Sequence, residues 1–175
     1  MDNDNINSKD LFEKLDRATG EFFSLIDSLD EQEINTIPFG NSWTAAQVAD
    51  HVTKSNTSIA KALQLKGTAI NRDPYERTEE LKDVFLDFTT KLKSPSFILP
   101  GKNIYEKAML INQLRNSIEK IKDIAEQSDL SEMINHPAFG DITKLEILHF
   151  VIYHTKRHSH QLENIFKALA KIKSV

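Results

Sequence analysis

Apolar residues recur at three- and four-residue steps through most of this chain, and the places where the steps break mark its connections. Leu11, Leu15, Ala18, Phe22, Leu25 and Leu29 trace one stripe over 10–29, which predicts a first helix. A loop over 30–42, with Pro38 and Gly40, separates it from a second stripe of Ala45, Val48, Val52, Ser55, Ile59 and Leu63. That second helix should start at Thr44, because Thr44 and Gln47 have the spacing of a capping box. Gly67 and a polar run to Arg77 end it. Asp73-Pro74 then offers a cap with Pro at the first helical position, and Leu81, Val84, Phe85, Phe88 and Leu92 give a shorter amphipathic segment.

Asn103 and Glu106 suit the cap of a further long helix carrying Ala108, Ile111, Ile118, Ile121 and Ala125. The last connection, 128–142, contains Pro137 and Gly140. A second capping box, Thr143 with Glu146, opens the final helix over 143–171, which neither Pro nor Gly interrupts. No stretch alternates β-branched residues, so any strand should be trivial. The expectation is an all-α, antiparallel four-helix bundle, with a short extra helical segment between helices 2 and 3, folded as one domain over 1–175.

The final helix has an irregular stripe. Ile147 and Val151 lead to Leu162, Ile165 and Leu169, and the gap between them is filled by His154 and His158. At 100° per residue those two lie about 40° apart on the face that should meet the core. Two imidazoles one turn apart can converge on one ion. His51 lies about 60° from Val48, at the edge of the second helix's apolar face, and is the best third ligand. The competing interpretation is a set of core histidines hydrogen-bonded to one another with no ion. His149 and His160 point elsewhere on the last helix and are expected at an edge or in solvent. His136, in a loop before Pro137, is expected at the surface.

Composition narrows the chemistry. With 39% hydrophobic and 27% charged residues and a net charge of −4, the chain reads as an ordinary globular protein. It lacks the basic stripe that nucleic acid requires. Cysteine is absent, so disulfides, a cysteine nucleophile and thiolate ligands are excluded. The acidic opening MDNDNINSKD reads as no signal peptide, and no run is long enough to span a membrane. A cytoplasmic protein is expected. The Glu146-x-x-His149 pattern occurs once, too little for a di-iron site.

Three groups of residues carry a resemblance. Trp43-Thr44-x-x-Gln47-x-x-x-His51, His136-Pro137-x-Phe139-Gly140, and His154-x-x-Arg157-His158-x-x-Gln161 together resemble the DinB-like (YfiT-like) superfamily. The resemblance implies an up-down-down-up four-helix bundle that binds one divalent ion, zinc or nickel, through His51, His154 and His158. Known relatives include low-molecular-weight-thiol S-transferases, mycothiol-dependent maleylpyruvate isomerases and metal-dependent hydrolases, and dimers are common.

The expected function is therefore a metal-dependent transferase that activates a small thiol of the bacillithiol type against an electrophilic substrate. Arg157 and Gln161 would be catalytic, orienting the thiol's polar groups; a solvent-facing Arg157 is the bland alternative. A hydrolase using activated water and a non-catalytic, stress-associated bundle are the competing functions. The homodimer is expected from the same resemblance.

Overall fold

The structure, a computed structural model, describes residues 8–173; the acidic residues at the start of the chain lie partly outside that range. Five helices dominate: α1 (Ser8–Asp27), α2 (Ala45–Leu63), α3 (Thr78–Leu86), α4 (Lys107–Glu126) and α5 (Lys144–Lys173). A single hairpin of β1 (Met133–His136) and β2 (Gly140–Thr143) precedes α5. No described helix is long and apolar enough to cross a membrane.

Both capping boxes form as the spacing requires. Thr44 accepts from the Gln47 amide at 3.1 Å while Gln47 accepts from the Thr44 amide at 3.0 Å, which starts α2. At α5, Thr143 Oγ1 accepts from the Glu146 amide and Glu146 Oε2 from the Thr143 amide, at 3.0 and 2.9 Å. Glu146 does more than cap. Its fully buried carboxylate takes a bidentate pair from Arg72, at 2.7 and 2.8 Å, and a backbone donor from Arg77 at 2.8 Å. Burial pushes its pKa up, but Arg72 and the backbone donors outweigh that and hold it below the usual value.

The core lies in two groups stacked along the bundle. One joins Leu11, Leu15 and Ala18 of α1 to Ile59 and Leu63 of α2, Ile121 and Ala125 of α4, and 145–152 of α5. The other joins Phe22 and Ile26 to Val48 and Val52, Leu110 and Leu114, and Leu162, Ile165 and Leu169. These pairings fix the directions. The start of α1 meets the start of α5, and the start of α2 meets the start of α4. Helices α1 and α5 therefore run one way and α2 and α4 the other, an up-down-down-up bundle. On α5, the turn that carries His154 and His158 separates the two groups.

Parallel α2 and α4 demand a long crossover, and here the expectations need correction. Asp73-Pro74 forms a turn, with Asp73 accepting from the Tyr75 amide at 2.9 Å, but α3 begins only at Thr78. It ends at Leu86, so Phe88 falls in a turn, Leu92 in the irregular strap that follows, and Val84 is exposed. On α4, Ala108 is exposed and Leu110 and Leu114 take the buried positions. Leu25 of α1 is likewise half-buried because Ile26 carries the stripe onward. An α-helical period of 3.6 drifts against a stripe counted in steps of three and four.

The hairpin within 128–142 gives His136 a different place from the one expected. It sits at the end of β1, opposite Gly140, which adopts φ +65°. Its side chain is buried rather than surface-exposed, 6% accessible, and stacked on Phe139. Met133 on the same strand also pairs with Thr68 through two 2.9 Å backbone bonds, which ties the hairpin to the end of α2.

Candidate metal centre

His51, His154 and His158 come together, all buried, with one ligand atom from each lying within 4.8 Å of the others. His154 Nε2 is 3.2 Å from His51 Nε2 and 3.1 Å from His158 Nε2. A tetrahedral ion with bonds of 2.0–2.1 Å holds its nitrogens about 3.3 Å apart. The separations therefore suit a shared cation.

Proton bookkeeping supports the fit independently. His51 Nδ1 faces the Ile98 carbonyl oxygen at 2.9 Å and must donate to it, so its Nε2 carries only a lone pair. His158 Nδ1 faces Gln161 Oε1 at 2.8 Å, which leaves its Nε2 in the same condition. Both bare nitrogens point at His154 Nε2. That atom has one proton at most, so one of the two short contacts sets lone pair against lone pair unless a cation lies between them.

Electrostatics keep the rings in the ligating state. Burial lowers the pKa of His51, opposed by the Ile98 carbonyl. His154 lies well below its ordinary value through burial, with His158 and His51 adding to the effect. His158 is pushed down to about 3, again chiefly by burial. Three neutral imidazoles leave an ion's charge undiluted, and neutral rings are the form that binds metal. Three aromatic rings complete the frame: Trp43 packs 5.1 Å from His51, and Phe85 and Phe150 lie against His154 at 6.1 and 5.0 Å.

The orientation of His51, the candidate ligand on α2, depends on a loop. From one face of α2, Gln47 donates to the Gly101 carbonyl, Asp50 accepts from the Gly101 amide and the Tyr105 hydroxyl, and Lys54 donates to the Leu99 carbonyl. These bonds, of 2.8–2.9 Å, hold the segment whose Ile98 carbonyl orients His51. Beside the triad opens a cavity of about 380 Å³. Its walls include Phe85, Leu92, Phe97, Ile98, Phe139 and Phe150.

The two residues expected to orient a thiol have other tasks. Gln161 is bonded to His158 and does not line the cavity, so it positions the His158 ring. Arg157 does line the cavity, but it is half-buried and not free to clamp a carboxylate with its full fork. Its Nη1 donates to the carbonyls of Phe85 and Asp87, at 3.3 and 2.8 Å, and its Nη2 donates to that of Thr90. It staples the crossover strap to α5. His160 stands apart from the triad, stacked on Phe88 at 4.2 Å, and His149 bonds to the Tyr153 hydroxyl at 3.3 Å.

The family model of the DinB superfamily matches residues 14–162, most of the chain and all three histidines. The chain belongs to the DinB superfamily. Within reach of that DinB assignment, the uncharacterized Bacillus subtilis protein YuaE is 24% identical over 149 residues, covering 83% of this chain and 90% of YuaE. Solved structures that share this fold include two bacterial proteins. A conserved Enterococcus faecalis protein aligns with a TM-score of 0.66 at 20% identity, covering 94% of this chain and 98% of its own. Bacillus subtilis YfiT, described as a probable metal-dependent hydrolase with an unusual four-helix bundle topology, aligns at 0.61 and 14% identity, covering 97% and 93%. The resemblance read from the three motifs and the fold class are borne out.

Proposed function

We propose that this DinB-superfamily chain is a divalent-metal-dependent enzyme, and that it transfers a low-molecular-weight thiol to an electrophilic small molecule. The observation that carries the proposal is the convergence of three buried imidazole lone pairs at the wall of a cavity of small-molecule size. His51, His154 and His158 would hold the ion, with zinc or nickel as the metals suited to an all-imidazole set. Bound there, such a cation supplies the Lewis acidity that lowers the pKa of a thiol, which a chain without cysteine must take from its substrate.

The chain's own residues bind and exclude. Phe85, Phe97, Phe139 and Phe150 give the cavity the apolar wall that a bound molecule would complete against water. Arg157 and Lys93 line the cavity, whereas no Asp or Glu does among the described residues. That balance favours an anionic thiol, of the kind held in a reducing cytoplasm, and a homodimer belongs to the same proposal. The missing carboxylate also removes the usual proton acceptor for water attack.

The likeness to YfiT favours a second reading, hydrolysis of an ester or amide. Product analysis with and without added thiols separates the two. Conjugate formed only when a thiol is present, and lost in His154→Ala, supports transfer. Cleavage that proceeds without a thiol overturns it in favour of hydrolysis.

A further inference from the structure

His136 is the one imidazole on the cavity wall, among the described residues, that does not belong to the triad. Where it sits follows from the hairpin. The turn between His136 and Gly140 brings the Ala138 amide to within 3.1 Å of His136 Nδ1, and that amide donates. A ring nitrogen that accepts carries no proton, so in the neutral ring the proton sits on Nε2. Burial lowers the pKa of His136, which keeps the ring neutral at pH 7.

The ring is also held in place. It lies on Phe139, with centroids 4.9 Å apart and planes 29° from parallel. Phe139 meets Phe150 at 4.7 Å, and Phe150 meets His154 at 5.0 Å. An aromatic wall two rings thick thus separates this donor from the metal end. No described residue takes the Nε2–H. The donor is not sealed off, because Ser159 Oγ is the buried side-chain polar atom without a partner among the described residues. His136 lines the cavity, so a bound molecule can supply the acceptor that the protein does not.

We infer that His136 is a substrate-contacting residue, whose Nε2–H donates a hydrogen bond to an acceptor oxygen, such as a carbonyl, of the molecule bound in the cavity. Arg157 and Lys93 bring charged donors to the same cavity, and His136 adds a neutral one set in its aromatic wall. The substrate class that follows has an apolar body and an acceptor oxygen set away from the group that meets the metal. This inference rests on the cavity being a substrate site, as proposed above, and is independent of which reaction occurs there.

The test uses zinc-loaded protein, isotope-labelled at its histidine ring nitrogens, with acetophenone and ethylbenzene as probes that differ in the carbonyl oxygen. Nuclear magnetic resonance should find His136 as the Nε2–H tautomer, and acetophenone alone should shift that proton. In His136→Phe the preference for acetophenone should fall about two- to tenfold, the loss of one hydrogen bond, with zinc content unchanged. An Nδ1–H tautomer, an Nε2–H indifferent to acetophenone, or an intact preference in the variant would overturn the inference. Should His136→Phe not fold, the tautomer and the shift in the unaltered protein decide alone. A protein that holds no zinc would sink the metal proposal instead, and the His136 measurements can be made on it all the same.

Discussion

Gln161 Oε1 lies 2.8 Å from His158 Nδ1, one helical turn along α5, and this bond decides which nitrogen of His158 faces the other two imidazoles. Partners of this kind set the tautomer and orientation of a ligand ring, and losing one costs about 10–100-fold in metal affinity. Gln161→Ala should therefore weaken zinc binding by that factor while leaving the helix content unchanged. Competition against a chromogenic chelator measures it. An affinity equal to that of the unaltered protein would mean His158 needs no such support.

The ligand assignment makes a paired prediction. His154→Ala should abolish retention of metal, because His154 Nε2 is the atom that both other rings approach. His160→Ala should retain it, because His160 stacks on Phe88 outside the triad. Elemental analysis of proteins purified without a nickel column reads both. Equal metal in the two variants would refute the assignment.

The metal-free protein should lose stability as it is acidified. His51, His154, His158, His136 and His149 all have folded pKa values lowered by burial, that of His158 to about 3. The unfolded chain takes up these protons near pH 6.5, before the folded chain does. Their contribution is thus fully present above about pH 6.5 and is lost as pH falls toward the folded values. Urea unfolding midpoints should drop between pH 7 and pH 5, ahead of the carboxylates. A flat profile over that interval would contradict the burial of the rings.

Arg72→Ala should destabilise the fold by about 3 kcal/mol, since it strands a buried carboxylate. The figure is discounted little, because Glu146 is fully buried while Arg72 is one-fifth exposed. Denaturant titration checks it. Metal stoichiometry should be unaltered, because Glu146 caps α5 two turns before the first ligand on that helix.

Arg157→Ala should free the strap it holds. Backbone amides over 85–90 should exchange faster with solvent, while those of α1 and α4 keep their protection. Uniform exchange in both proteins would mean that the three carbonyl bonds contribute nothing to the strap's order.

Much of the bundle could be read from periodicity, because each long helix buries one continuous stripe and the two Thr caps advertise their starts. The triad was legible for the same reason: His154 and His158 occupy gaps in an apolar stripe, and His51 borders another. The rest depends on contacts distant in sequence. Arg157 is committed to carbonyls about 70 residues away, which no local pattern records. His136 had a signal in His136-Pro137-x-Phe139-Gly140, but burial of a four-residue strand depends on what covers it. Nothing in the sequence marks the Ile98 carbonyl, since a backbone acceptor has no residue signature.

The crossover from α2 to α4 exists because two neighbouring helices point the same way and the chain must travel back before starting the second. That return trip supplies Val84, Phe85, Leu92 and Phe97 to one side of the cavity, while the imidazoles are anchored in the bundle itself. The candidate ligand cluster and much of the cavity wall thus come from separate segments of the chain. Changes at Val84, Leu92 or Phe97 can redraw the shape of what the cavity admits and leave the nitrogen cluster untouched, whereas Phe85, against His154, is tied to it.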